Sequence, residues 1–246
     1  MTSIEDLIEK AVKLRNQEKF EEALELLEEL YKNQPTSEIV KNSLIETLLF
    51  YGGYLNDIYV LEFEKAKNIF DRIIHIDPTN YRAYYNKGIA YFNLNEIEKA
   101  KKLYEKALSI KPDYKHCLYN LGLLYESNND LQEALTYYER ALEIDPKFTY
   151  ALQARSHVRN ELDELKKTKN VMNQKQNLSQ LISLLKMSNR IRIDMIQNIL
   201  DIDKKKLYEL LIELGEKFHV KIDGDFLTLN KETLAELLKY LENFNS

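Results

Sequence analysis

Residues 81–114, YRAYYNKGIAYFNLNEIEKAKKLYEKALSIKPDY, run directly into residues 115–148, KHCLYNLGLLYESNNDLQEALTYYERALEIDPKF. Each stretch is 34 residues long, with an alanine at its twentieth position and a proline at its thirty-second. Repetition at this period is typical of stacked helix pairs. The two stretches therefore predict two consecutive units of the same architecture.

The same spacing extends toward the N-terminus. An alanine precedes each of the four prolines by 12 residues. The alanine–proline pairs are Ala23 and Pro35, Ala66 and Pro78, Ala100 and Pro112, and Ala134 and Pro146. Two residue types repeating in one register predict four units, at 4–37, 38–80, 81–114 and 115–148.

Apolar side chains accompany each alanine at helical spacing. A large one precedes it by three residues and another follows it by four, which places all three on one helix face. The flanking pairs are Phe20 and Leu27, Phe63 and Phe70, Ile97 and Tyr104, and Leu131 and Tyr138. Proline then ends each helix, since it has no N–H to donate. Ala11, Gly88 and Gly122 are small residues where each unit's first helix is expected to cross its second.

Two first-helix segments carry a family signature. Residues 84–91, YYNKGIAY, and 118–125, LYNLGLLY, resemble the first helix of tetratricopeptide repeats. The resemblance implies a mainly α fold, an α-solenoid whose first helices line a concave groove that binds a peptide or a partner helix. Residues 149–169 are charged and amphipathic, so we expect them to form a capping or linker helix.

The second unit departs from this pattern. Ile45 stands where a small residue is expected, and 43 residues rather than 34 separate Pro35 from Pro78. The excess lies within residues 50–61, an aromatic and apolar segment. One interpretation is that it lengthens both helices by a turn and packs on its neighbour. The alternative is an edge that binds a partner.

The predicted groove consists of first-helix residues that the core does not require. They are Asn42, Glu46, Arg82, Tyr85, Ile89, Phe92, His116, Tyr119, Asn120 and Leu123. Tyr85 and Tyr119 lie 34 residues apart, as do Ile89 and Leu123, so the pattern favours a periodic apolar stripe. The alternative is that this stripe packs against the chain's own cap or C-terminal domain.

Some tetratricopeptide proteins hold the C-terminal carboxylate of heat-shock chaperones with lysine, asparagine and arginine side chains. Asn86 and Asn120 match part of that pattern. Ile8 and Val12 stand where the first unit would supply polar partners. Binding of chaperone tails is therefore not predicted.

The pattern changes in residues 170–246. Residues 170–177 are polar and are expected to form a linker or a frayed helix end. After them we expect a helix, a short strand at 190–193, a helix ending at Leu200, a longer helix at 204–218, a hairpin around Asp223-Gly224-Asp225 and a last helix. This order, together with Lys221-Ile222-Asp223, resembles the winged helix that ends PCI domains. The resemblance implies a small α+β winged-helix-like domain that docks a second protein or a copy of the chain.

A DNA-binding regulator is the alternative function, with the winged helix on the duplex. The expected exposed side of 204–218 offers Lys205, Glu209, Ile212, Glu213 and Glu216. A helix that reads the major groove needs donors such as Arg, Lys, Asn or Gln. Neither residues 1–170 (24 Lys and Arg, 29 Asp and Glu) nor residues 171–246 (11 of each) have a basic excess. Protein binding is therefore favoured over nucleic-acid binding.

The sequence contains no motif for chemistry. The four histidines lie in different predicted elements, and glycine-rich phosphate loops are missing. Cys117 is the only cysteine, which excludes an internal disulfide and a cysteine-based metal cluster. We therefore expect no enzyme activity, cofactor or metal. Without a secretory signal or an apolar run of membrane-spanning length, a cytoplasmic protein that does not enter a membrane is expected.

Overall fold

The computed structural model describes residues 3–57, 59–188, 190–218 and 220–245. The chain is mainly α-helical, with a small three-stranded sheet near its C-terminal end. It divides into two compact units, Met1–Asn160 and Glu161–Ser246. Ile58, in the predicted insertion, and His219, one of the four histidines, lie outside the described residues.

The first unit is a series of antiparallel helix pairs, each helix packing on the next along the chain. The helices are α1 (Ile4–Asn16), α2 (Phe20–Asn33), α3 (Glu38–Leu55), α4 (Phe63–Ile76), α5 (Tyr81–Asn93), α6 (Ile97–Ile110), α7 (Lys115–Ser127) and α8 (Leu131–Ile144), followed by α9 (Thr149–Met187), which belongs to the second compact unit from Glu161 onward. The α-solenoid expected from the repeated alanines and prolines has this architecture.

The prolines and alanines have the roles that their spacing indicated. The second helix of each unit ends two residues before its proline, and the next helix begins three residues after it. The residue before a proline is disfavoured in the helical region, which explains the abrupt ends. Ala23, Ala66, Ala100 and Ala134 are fully buried, where a small side chain allows close helix contact.

A single residue with left-handed backbone geometry lies two positions before the first residue of the second helix of each unit. These residues are Glu18, Leu61, Asn95 and Asn129, with φ between 57° and 64°. Asparagine tolerates this region better than most residues. The third and fourth units therefore use the favourable residue at their internal turn, and the first two do not.

The helix α3 is the irregular element. It has 18 residues where α1, α5 and α7 have 13, whereas α4 has 14 residues like α2, α6 and α8. The expectation that the insertion lengthens both helices of the second unit is therefore wrong, since α3 alone is longer. The connection between α3 and α4 is longer than the connection inside the other three repeats.

The helix α9 spans three predicted elements, the last of which is the helix expected after the polar segment. The capping helix at 149–169 and the polar segment at 170–177 belong to one helix that continues to Met187. Residues 149–187 contain no glycine or proline. Polarity alone does not end a helix, because lysine and glutamine have good helix propensity.

The second compact unit, Glu161–Ser246, packs helices against one face of a small antiparallel sheet. After α9 it contains β1 (Arg190–Arg192), α10 (Ile193–Leu200), α11 (Lys204–Phe218), β2 (Lys221–Asp223), β3 (Phe226–Thr228) and α12 (Lys231–Asn245). The strand order is β1-β3-β2, with Leu227 of β3 opposite Ile191 and Ile222. Leu227, Ile191 and Leu211 are buried in a core that this unit forms by itself.

Candidate protein-binding surfaces

A contact between a glycine and an aromatic ring fixes the facing of the first helices. A Cβ atom at Gly88 would lie 2.6 Å from Cε1 of Tyr104, and one at Gly52 would lie 2.5 Å from Cε1 of Phe70. Gly122 has the same relation to Tyr138. The side of each helix that carries its glycine is therefore committed to the second helix of its own unit.

These contacts identify the small residue of the second unit. It is Gly52, since its Cβ position meets the Phe70 ring of its own repeat, whereas Ile45 is a large buried core residue. Gly52 is the fifteenth residue of α3, whereas Gly88 is the eighth of α5. The helix α3 thus has seven more residues than α5 before this contact and two fewer after it. Seven residues are nearly two helical turns, so the residues before and after them keep the same facing.

Two predicted groove residues, Asn42 and Glu46, lie on α3. Each lies about two turns before the α3 position that is equivalent to Tyr85 or Ile89 of α5. Asn42 is exposed, and Glu46 is half-buried. Glu46 Oε1 lies 2.7 Å from Nη1 of Arg82, which joins α3 to α5 at this surface. The exposed Phe50 and Gly53 follow Glu46 by four and seven residues and continue the same side of α3.

Tyr85 and Tyr119 contribute to both the core and the surface. The ring centroid of Tyr85 lies 6.0 Å from that of Tyr104 and 4.9 Å from that of Tyr114. The centroid of Tyr119 lies 5.7 Å from that of Tyr138 and 5.6 Å from that of Phe148. Each cluster repeats the other after 34 residues. Burial raises the pKa of the Tyr85 phenol above its ordinary value, in keeping with a partly structural role.

The remaining predicted groove residues lie on α5 and α7. Ile89, Phe92 and Leu123 are half-buried, and His116 is exposed. Asn120 Nδ2 donates a hydrogen bond to Tyr85 Oη at 3.3 Å, so it links α7 to α5. These side chains offer a surface on which Ile89, Phe92 and Leu123 are apolar and His116 and Asn120 are polar.

The chain's own segment after α8 covers one end of this surface. Phe148 is buried against Tyr119, and its ring centroid lies 5.1 Å from that of His116. Tyr150 lies 6.0 Å from Tyr119 and is itself exposed. The alternative interpretation was that the apolar stripe packs against the chain's own capping helix. Tyr119 does contact the start of that helix.

The sequence did not predict a cleft that lies among the first three repeats. It measures about 510 Å³ and lies between the ends of α1 and α3 and the start of α5. Arg15 and Arg82 line it together with Phe20, Phe50 and Tyr54. Arg15 Cζ lies 4.4 Å from the ring centroid of Phe50, and its buried Nε makes no hydrogen bond to the described residues.

The interpretation that residues 50–61 pack on the chain itself holds for part of this segment, and other side chains of it are exposed. Tyr51 stacks on Phe20 with 5.1 Å between ring centroids, and Leu55 is buried, so part of the segment packs at home. Phe50, Leu61 and Tyr59 are 52%, 59% and 89% exposed. The unusual aromatic content of this segment was the signal that could have located the cleft.

The exposed side of α11 is largely as predicted. Lys205, Glu209, Ile212, Glu213 and Glu216 are all exposed. Tyr208 is also 62% exposed, although it was not among the predicted surface residues. The side of α11 away from the core is therefore apolar along its middle and acidic along one flank.

The arginines of β1 are engaged by neighbouring acids. Arg192 makes two hydrogen bonds to Asp194, at 2.9 and 2.8 Å, and Arg190 lies 3.5 Å from Asp223. Within the described part of the chain, this leaves Lys204, Lys205 and Lys206 as the main basic group near α11, and Lys205 reaches Glu209 at 4.0 Å.

Nothing in the described residues forms a reactive constellation. No group of three or more His, Cys, Asp or Glu among them could hold a metal ion. Cys117 is buried, and burial raises the pKa of its thiol to about 12, so the thiolate is disfavoured. Among the described helices, none combines the length and the apolar character that crossing a membrane requires.

Comparison with known proteins identifies the repeats. Residues 79–147 match the model of the tetratricopeptide repeat family. This match covers nearly all of the third and fourth repeats, which are therefore similar to members of that family. No curated protein matches the chain.

Solved structures share the architecture. A crystal structure of MamA is 26% identical, with a TM-score of 0.50 over 66% of this chain and 86% of that one. A structure of MamA from residue 41 to its end, from Desulfovibrio magneticus RS-1, is 19% identical, with a TM-score of 0.51 over 69% of this chain and 92% of that one. These similarities support an α-solenoid of tetratricopeptide type.

Proposed function

We propose that this chain is a non-enzymatic scaffold that binds a peptide or a helix of another protein along the first helices of its repeats. The observation that carries the proposal is the half-buried apolar stripe of Ile89, Phe92 and Leu123 beside the repeated tyrosine clusters. Covering such a stripe removes apolar surface from water, which favours association. In this proposal the binding free energy comes from shape and desolvation.

The cleft beside Phe50 adds a second contact region to the proposed groove. Its aromatic walls and the Arg15 guanidinium suit an apolar or aromatic side chain of the bound segment that has an acceptor nearby. Glu46 and Arg82 join the cleft to α5. A bound segment that follows the first helices would therefore meet the cleft at one end and the Tyr119 cluster at the other.

For the second compact unit we propose a winged-helix-like domain of the kind that ends PCI domains. The support is the element order from α9 to α12 and the β1-β3-β2 order of the sheet. Its proposed role is to dock a second protein or another copy of the chain. The whole protein is proposed to work in the cytoplasm, where a single reduced cysteine is common.

A DNA-binding regulator remains the competing proposal, and the charges of α11 disfavour it. Glu209, Glu213 and Glu216 would face phosphate, while Arg190 and Arg192 are already paired with acids. Titrating a fluorescent duplex with the protein at low salt separates the two proposals. We expect no change in anisotropy; saturable binding that weakens with salt would favour the regulator.

The groove can be tested by selecting peptides from a displayed random library on the full-length protein. We expect enriched peptides whose binding is lost in the Ile89→Glu/Leu123→Glu variant and weakened in Phe50→Ala. Ile144→Glu is the matched control, because Ile144 is exposed at the end of α8. Thermal unfolding of each variant confirms that it is folded.

Two results of this selection would oppose the scaffold proposal. One is that no peptide is enriched over an unrelated repeat protein. The other is that enriched peptides bind the groove variants as tightly as the unchanged chain. The Tyr85→Ala and Tyr119→Ala changes are less informative, because both rings also support the core.

A further inference from the structure

The second compact unit exposes an apolar surface on α11. Tyr208 and Ile212 are 62% and 61% exposed, and Ile222 on the outer strand β2 is 54% exposed. Between them lies a cleft of about 510 Å³ with Leu207 and Leu211 as its inner residues. An apolar ridge therefore runs beside a cleft whose apolar side chains are joined by Arg192, Asp194, Gln197, Lys204 and Asp225. An exposed apolar patch with polar residues around it is typical of interaction sites.

Gly215 gives α11 a second unusual feature. A glycine inside a helix is destabilising relative to alanine, and Gly52, Gly88 and Gly122 each offset that cost by receiving an aromatic ring. A Cβ atom at Gly215 would meet no atom of the described chain within 4 Å. Gly215 follows Tyr208 by seven residues and Ile212 by three, so it continues the same ridge. The described chain supplies no partner for which this glycine makes room.

We propose that a second copy of this chain packs on this surface, with the two α11 helices antiparallel. The inference rests on the proposed role of the second unit in docking a protein, and it names that protein. In a two-fold arrangement the ridge of one copy packs along the ridge of the other, beside the two clefts, and the same residues serve both sides. Tyr208 of one copy then lies over Gly215 of the other.

The charges along α11 favour this partner and this direction. Lys204, Lys205 and Lys206 stand at the N-terminal end of α11, where they oppose the dipole of their own helix. Antiparallel packing places them beside the C-terminal end of the other α11, with its negative dipole end and Glu216, where Lys217 is already paired with Glu213 at 3.2 Å. Parallel packing would bring lysine to lysine and glutamate to glutamate.

The contact between ring and glycine sets the register of the two helices. The same contact joins Tyr104 to Gly88 and Phe70 to Gly52 inside the repeats, which shows that it packs two helix backbones closely. With Tyr208 over Gly215 of the second copy, the two-fold axis passes near Ile212. The two Ile212 side chains then meet at the centre, which is where truncation or charge has its largest effect.

Sedimentation velocity of the full-length protein tests the proposal over about 1 to about 200 µM, a range suited to an interface of modest area. We expect the weight-average mass to rise from 29.2 kDa toward twice that value. Ile212→Lys should remain monomeric throughout, and the matched control Met195→Lys, on α10, should behave like the unchanged chain. A monomer at every concentration, or dimers that persist in Ile212→Lys, would overturn the proposal.

Cysteine pairs test the direction. A mixture of Tyr208→Cys and Gly215→Cys should cross-link faster under mild oxidation than either variant alone, whereas parallel packing would favour Tyr208→Cys with itself. Gly215→Leu should raise the Tm of the monomer by improving helix propensity and yet weaken the dimer at least tenfold. If it strengthens the dimer, the close approach at Gly215 is refuted. None of these measurements uses the peptides selected on the repeats. Each of the two proposals can therefore fail while the other stands.

Discussion

The ring of Tyr104 occupies the space where a side chain at position 88 would begin: a Cβ atom on Gly88 would lie 2.6 Å from Cε1 of that ring. Tyr104 is 1% exposed, and its ring also lies near Tyr85. This single contact joins the two helices of the third unit and fixes which side of α5 remains available to a partner.

Replacing that glycine tests the contact directly. Gly88→Ala should lower the free energy of unfolding by about 1–3 kcal/mol, because the displaced ring is surrounded by core residues. Gly53→Ala is the matched control, since Gly53 is exposed in α3 and a Cβ atom there meets nothing within 4 Å. It should raise the free energy of unfolding by about 0.5–1 kcal/mol. Urea unfolding followed by circular dichroism measures both, and equal effects would contradict the contact.

Thr47 buries a hydroxyl without a partner. The residue is fully buried in α3, and its Oγ1 makes no hydrogen bond to any described residue. Thr47→Val keeps the shape and removes the polar atom, so it should raise the free energy of unfolding by about 1 kcal/mol. Thr47→Ser keeps the hydroxyl and loses a methyl group, so it should lower it by about 1 kcal/mol. A loss of stability in Thr47→Val would show that the hydroxyl has a partner after all.

Leu61 adopts a backbone geometry that suits asparagine. Its φ is 57°, and the equivalent turn residues of the next two units are Asn95 and Asn129. Leu61→Asn should stabilise the fold by about 1 kcal/mol, since the left-handed region is costly for a branched apolar residue. Asn95→Leu should destabilise it by a similar amount. Thermal melts of the two variants should thus shift in opposite directions, and shifts of the same sign would dismiss the backbone argument.

Buried tyrosines should make the fold sensitive to alkali. Burial, with a smaller effect of nearby Tyr81, raises the pKa of Tyr114 from 10 to about 12. Burial also raises the pKa values of Tyr85 and Tyr104. A raised folded-state pKa means that the folded chain binds more protons than the unfolded chain between the two values. Stability is therefore fully present below about pH 10 and should decline between pH 10 and about 12.

Tyrosinate absorbance and circular dichroism, recorded together during the titration, check this expectation. Because the chain has 17 tyrosines and no tryptophan, the absorbance reports tyrosine alone. Tyr114→Phe should lose less stability over the same pH interval. If helix content stays constant while all 17 residues ionise, the buried clusters do not limit stability in alkali.

The repeats were predictable because their determinants are local. Each proline ends a helix through its own backbone, and each alanine reports a close contact at a fixed place in the unit. The same holds for α11, whose predicted bounds, 204–218, match the structure; Asp203 Oδ1 accepts a hydrogen bond from Lys206 N at 2.9 Å at its start. A short polar side chain at a helix start is visible in sequence.

Features that depend on tertiary contact were not predictable in this way. Ile45 was compared with Gly88 by counting from the proline, and only the contact of Gly52 with Phe70 reveals the offset of seven residues. The exposure of Tyr208 and the cleft at Arg15 depend on which elements pack nearby. A polar segment such as 170–177 shows no breaker and continues a helix, which its composition did not reveal.

The extra length of α3 restricts how this helix can change further. One inserted residue would rotate everything beyond it by about 100°, and the side that now meets Phe70 would turn toward water. An insertion of seven residues rotates it by only about 20°. Viable length variants of α3 should therefore differ by about four, seven or eleven residues, which are close to whole helical turns. Insertions of these lengths could extend the protein without disturbing the helices on either side.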